Sequence, residues 1–200
     1  MTRLLACALL LLAACGGRRP DPAVPAPPVA VAPMDLGGQR VLVLPLQQAA
    51  GLPVNREEVG VEIVAALRDR DTRTQWIDPA RLRRTLSQSP GFAQDPGALP
   101  NDRYDVHGER RVQGPLADAL RRYMALTEAR LVVIPRSGGV RALEDGRVVV
   151  RLNAAVVDAR TGLVVWFGEA EGAPGAPADP ALVPSAAAAL AERMVVPDSR

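Results

Sequence analysis

GRVVVRLNAAVVDARTGLVVWFG, residues 146–168, is the stretch whose reading decides the fold. Val148, Val150, Leu152, Ala154 and Val156 fall on one side of an extended chain, and Arg151 and Asn153 on the other, which is the period of a strand. Asp158 favours turn initiation, and Gly162 supplies the left-handed residue that closes a bulged hairpin. The apolar run then resumes from Leu163 to Gly168. The stretch therefore reads as an antiparallel hairpin with one greasier face.

Upstream of it, Arg130-Leu-Val-Val-Ile-Pro135 is a short apolar run that suits a buried strand. Arg136-Ser137-Gly138-Gly139 reads as a turn. Leu116 to Ala129 reads as a helix with Leu116, Ala119, Leu120 and Tyr123 on one side. Nearer the start, Val41 to Leu46 predicts a core strand with Pro45 near its end. Asn55 is the expected cap of a helix from Arg56 to Arg70. Glu57 and Glu58 lie in its first turn and Arg68 and Arg70 in its last. Val59, Ile63, Ala66 and Leu67 form its expected buried stripe. Thr74 to Ile77 is a second strand, and Asp78-Pro79 caps a helix over Ala80–Gln88 that buries Leu82 and Leu86. Downstream, Gly172 to Pro177 is a break, and Asp179-Pro180 opens a last helix through Ala186, Ala189, Leu190 and Met194. The order predicts an α/β fold: a mixed sheet of about five strands covered by helices, with a C-terminal antiparallel hairpin and helix.

Residues 89–115 break any period with Pro90, Gly91, Pro96, Gly97, Pro100, Gly108, Gly114 and Pro115. Loops of this length are uncommon inside a compact domain. His107 lies there beside Arg103, Arg110 and Arg111. The cluster reads either as a basic contact patch for a partner or as a solvated loop.

The N-terminus carries a separate signal. Arg3 precedes the apolar run Leu4–Ala14, whose eleven residues would span only about 16 Å as a helix. That is too short to cross a bilayer and suits a signal-peptide core. The run ends in Leu12-Ala13-Ala14-Cys15-Gly16, which resembles the bacterial lipobox. The resemblance implies removal of residues 1–14, a diacylglycerol on Cys15, and attachment of the mature chain to a membrane through that lipid. Cys7 also follows Leu-Leu-Ala, but a cut there leaves too short an apolar run. Gly16 rather than Asp at the next position implies the outer membrane, by the enterobacterial sorting pattern. Residues 15–39 form a Pro/Ala-rich linker that favours polyproline II. Residues 40–196 are then expected as one folded domain.

Composition excludes much chemistry. Hydrophobic residues make up 48% of the chain, enough to fill a core, and aromatics only 3%, so aliphatic side chains must pack it. Every basic residue is Arg. Without Arg3 there are 23 arginines against 22 acidic residues, so the pI near 8.9 is no nucleic-acid signature. With Cys7 removed and Cys15 lipidated, no thiol is left for a nucleophile or a zinc site. The absence of Lys excludes a Walker-type phosphate lysine and a Schiff base. No G-x-S-x-G occurs. Glu57-Glu58 and Glu144-Asp145 are adjacent in sequence, so on regular structure each pair points apart. No catalytic residue, cofactor or metal site is predicted.

Taken together, Arg40–Leu46, Trp76–Pro79, Ala129–Val133 and the hairpin Val157-Asp-Ala-Arg-Thr-Gly162 with Val165-Trp166 resemble one family. It is the periplasmic α/β domain shared by CsgG, LpoB and the N-terminal part of TolB. The likeness covers about residues 40–170. It implies a binding or assembly protein of the cell envelope, with an envelope protein as partner and no enzymatic activity. The long insertion is polar and broken by Pro and Gly, which speaks against a CsgG-like pore hairpin. A lipid anchor, a linker and one small domain match the LpoB layout. Two other readings stay open: a subunit of an oligomeric secretion complex, and a cell-wall hydrolase or ligand-binding lipoprotein. The hydrolase would need convergent carboxylates, or His107 beside an acid.

Overall fold

The computed structural model describes residues 32–99 and 111–198. Its elements are β1 (Arg40–Val43), β2 (Gln48–Ala50), α1 (Arg56–Arg70), β3 (Gln75–Ile77), α2 (Pro79–Ser87), α3 (Gly114–Thr127), β4 (Leu131–Ala142), β5 (Val148–Asp158), β6 (Val164–Glu171) and α4 (Leu182–Met194). The strands form one mixed sheet of order β3-β1-β4-β5-β6, and β2 adds to β4 beyond the end of β1. β1 is parallel to β3 and β4, whereas β4, β5 and β6 run antiparallel. This is the α/β class expected, with six strands in place of about five.

Alternation along the strands feeds two cores. Val41, Val43 and Val133 join the first, with Ile63 and Leu67 of α1 and Ala186 and Leu190 of α4. Leu42, Leu44, Val132 and Ile134 join the second, with Leu82 of α2 and Leu116, Leu120 and Tyr123 of α3. Helices thus cover both faces, which is why β1 and the first part of β4 read as unbroken apolar runs. The predicted inward set Val148, Val150, Leu152, Ala154 and Val156 lies wholly in the first core.

The hairpin closes as its sequence predicts. The Asp158 carboxylate accepts from the Arg160 and Thr161 amides at 3.0 and 3.1 Å. Gly162 has φ +75°, and a Cβ there would lie 2.7 Å from the Val112 carbonyl oxygen. A register shift between Val156 and Val157 marks the bulge.

Four expectations are corrected. Ser137-Gly138-Gly139 is strand, not turn: β4 continues to Ala142, with a register shift between Pro135 and Ser137. The glycine there serves packing, because a Cβ on Gly138 would meet Leu52 at 3.0 Å and Leu152 at 3.1 Å. β2 was not expected; its three residues are all exposed and carry no apolar signal. Gly114 and Pro115, expected as the end of the irregular stretch, open α3, where proline suits the first turn. α4 begins at Leu182; Asp179 instead accepts from the Ala181 amide at 2.8 Å and organises the turn before it.

Part of the irregular stretch is tied down. Leu99 and Val112 are buried in the second core. The Gln47 amide donates to the Pro96 carbonyl at 2.8 Å and accepts from the Leu99 N–H at 3.2 Å. Ahead of Arg40, the Met34 N–H donates to Met194 at 2.8 Å, the Val196 N–H returns to Met34 at 3.0 Å, and Leu36 is buried. The packed part of the chain therefore begins before β1.

Candidate functional site

β1 leads onward to α1 on one face of the sheet, and its neighbour β3 leads to α2 on the other. Adjacent parallel strands whose connections part in this way leave a crevice beyond their carboxyl ends. The crevice is present here, with a volume of about 320 Å³. Its floor is Pro45, which follows β1, with Gly60, Val61, Val64 and Ala65 of α1 and Pro79 and Ala80 of α2. Its rim carries Arg56, Glu57 and Arg68 on one bank and Asp78, Arg83 and Arg84 on the other.

Local chemistry sets these side chains in place. Asn55 caps α1, its side-chain oxygen accepting from the Glu57 and Glu58 amides at 2.9 and 3.0 Å. That fixes Arg56 in the first turn, where its guanidinium donates to the Gln47 carbonyl at 2.8 Å. Asp78 caps α2 by accepting from the Arg81 amide at 2.7 Å, and its other oxygen accepts from Arg68 at 3.1 Å. Glu57 pairs with Arg83. The ion pairs reach from α1 to the start and to the middle of α2. Each contributes no more than about 1 kcal/mol at such exposure, so they serve spacing more than stability.

The electrostatics are one-sided. Burial pushes the Asp78 carboxyl up, but the Arg81 amide and the Arg68 guanidinium outweigh it and hold the group below its ordinary value. Both rim carboxylates are already paired, Asp78 with Arg68 and Glu57 with Arg83. Among the described residues the Arg84 guanidinium has no hydrogen-bond or ion-pair partner, and it acts on Asp78 by charge alone. Four guanidiniums face two carboxylates, so the rim is net positive. Val61, at 65% exposure, is the most exposed large apolar side chain among the described residues. The lining holds no Ser, Thr, Cys or His to act as nucleophile or base. Among the described residues no group of three or more His, Cys, Asp or Glu could hold a metal ion. The arrangement can grip an anionic, partly apolar chain, and its two carboxylates are both engaged in ion pairs.

Of the residues singled out from the sequence, Cys15, Arg103, His107 and Arg110 lie outside the described residues. Arg111 is exposed, and its guanidinium donates to the Thr161 carbonyl at 2.8 Å. The adjacent Val112 N–H donates to Gly162 at 2.8 Å. Arg111 therefore buttresses the β5–β6 turn, away from the crevice. Sequence reasoning missed the crevice. The available signal was Val61 and Ala65, one helical turn apart on α1 and outside its buried stripe. The partners on α2 and at Pro45 could not be assigned without the topology.

No family model matches the chain, and no curated protein matches it. Among solved structures, it is similar to the PelC dodecamer protein of Paraburkholderia phytofirmans: 16% identity, TM-score 0.44, covering 82% of this chain and 92% of that one. It is similar to Escherichia coli LpoB, solved by NMR, at 15% identity and TM-score 0.46, covering 87% and 84%. Lipoprotein GNA1162 of Neisseria meningitidis is similar at 17% identity and TM-score 0.39, covering 68% and 81%.

Proposed function

We propose that this chain is an outer-membrane-anchored periplasmic lipoprotein that works as a non-catalytic, protein-binding adaptor in cell-envelope assembly. The observation that carries the binding role is the crevice: an apolar floor with an exposed valine, inside a net-positive rim whose two carboxylates are tied in ion pairs. The position in the envelope rests on the sequence, on Leu12-Ala13-Ala14-Cys15-Gly16 and the Pro/Ala-rich stretch after it. In this reading the lipid on Cys15 attaches the protein. From Cys15 to Met34, where the chain joins the fold, nineteen residues at about 3.1 Å each reach about 60 Å. The domain then searches a shell of that depth beneath the membrane, and the crevice meets the partner within it.

Cells making the full-length protein with a photo-crosslinking residue in place of Val61 test this. The wild-type anchor should fractionate with the outer membrane and give a crosslinked envelope protein. Cys15→Ser should release the chain into soluble periplasm. A Cys15→Ser protein that stays in the outer-membrane fraction would overturn the anchor, and absence of any crosslink through residue 61 would overturn the adaptor role.

A further inference from the structure

We infer that the crevice takes an extended acidic segment of the partner protein, with carboxylate side chains at the rim and a small apolar side chain on Val61 and Ala65. This rests on the adaptor reading and adds the chemistry of what is bound. The first argument is charge. Glu57 and Asp78 are each engaged by one arginine of the facing bank, in the Glu57–Arg83 and Arg68–Asp78 pairs. Among the described residues Arg84 makes no ion pair and acts on Asp78 by charge alone, and Arg56 donates only to the Gln47 and Gly97 carbonyls, at 2.8 and 3.4 Å. Four guanidiniums against two carboxylates leave the lining with a net charge of two positive, which a basic or neutral occupant would not balance.

The second argument is shape. From Glu57 to Arg68 the crevice runs eleven residues along α1, about 16 Å. An extended chain covers that in about five residues. The volume of about 320 Å³ suits such a strip and is small for a folded element. The third argument is that the caps already take the Glu57, Glu58 and Arg81 amides. Asn55 and Asp78 cap the two helices that open onto the crevice. The main donors to an anion are then the four rim guanidiniums, which match planar carboxylates in a forked geometry. A flat anionic membrane surface fits poorly, because the Val61 floor lies in a concavity spanned by ion pairs.

The test uses the full-length lipoprotein in detergent micelles and a fluorescent decapeptide of alternating glutamate and alanine around one leucine. Its glutamine counterpart and anionic phospholipid vesicles serve as the other probes. The acidic peptide should bind at least ten-fold more tightly than the glutamine peptide, and more weakly as salt rises. Arg84→Glu should weaken it ten-fold or more, and Arg160→Glu, on the exposed hairpin turn, should leave it unchanged. Both positions are exposed, so both variants should keep the wild-type unfolding midpoint. Equal binding of the two peptides, or an Arg84→Glu protein that binds as wild type, overturns the proposal. So does vesicle binding that depends on Arg84 while the peptide fails. A crosslink through residue 61 in cells without acidic-peptide preference overturns the acidic chemistry and leaves the adaptor; loss of both overturns both.

Discussion

The β5–β6 hairpin and the α1–α2 crevice are built from opposite materials. Every group that shapes the hairpin turn, save the Arg111–Val112 buttress and Arg130, lies within the twenty-four residues from Val148 to Glu171. The crevice gathers three segments, around Pro45, Gly60 and Ala80, that meet only because β1 and β3 lie side by side. Most of the hairpin's apolar side chains are buried, and Asp158 is locked in hydrogen bonds. The crevice displays an exposed valine and a net-positive rim. One region spends its chemistry on folding, and the other leaves chemistry unspent at the surface. Substitutions should therefore separate the two by what they damage.

The largest effect belongs to the hairpin. Gly162→Val forces a β-branched residue to φ +75° and sets its Cβ 2.7 Å from the Val112 carbonyl oxygen. The expected loss is about 3 kcal/mol, read from urea unfolding. Asp158→Ala comes next. It removes the acceptor of the Arg160 and Thr161 amides and of Arg130, whose Nε lies 2.7 Å away. Arg130 is largely exposed, so its share is discounted and the expected loss is about 2 kcal/mol.

This carboxylate also carries a pH signature. Burial pushes the Asp158 carboxyl up, but Arg130 and the turn amides more than reverse it, so its folded value lies below the usual one. A depressed carboxylate contributes stability that is present above its unfolded value, about 3.9, and is lost as pH falls through the folded value. The stability gap between wild type and Asp158→Asn should be full at neutral pH and close in acid below about pH 4. A gap that widened in acid would contradict the account.

Asn55→Ala bridges the two regions, since its cap fixes the first turn of α1 at the crevice mouth. It should cost about 1 kcal/mol and also weaken partner binding by displacing Arg56. The smallest stability effects belong to the crevice itself. Val61→Glu and Arg84→Glu should each change stability by no more than about 0.5 kcal/mol while reducing partner binding.

The same contrast explains what could be read from the chain. The hairpin was legible because strand period, turn acid and left-handed glycine sit within one short window. Helix α1 was legible for the same reason: Asn55, Glu57 and Glu58 announce its start, and Val59, Ile63 and Leu67 its inner side. Gly138 misled because a glycine needed for close packing looks like one needed for a turn. β2 was silent because its three exposed residues pair only through backbone. The crevice was illegible because its cause is topological: Arg68 meets Asp78, and Glu57 meets Arg83, only after α1 and α2 are placed on opposite faces of the sheet. Of the basic cluster read from residues 103–111, the one described member, Arg111, is engaged in holding the hairpin turn.

The most direct measurement follows both properties in one protein. Val61→Glu/Arg84→Glu full-length lipoprotein would be compared with wild type for its urea unfolding midpoint and for its yield of partner crosslink in cells, with the photo-crosslinking residue placed at Ala65. The account predicts an unchanged midpoint and loss of most of the crosslink. An unchanged crosslink in the folded double variant would contradict it.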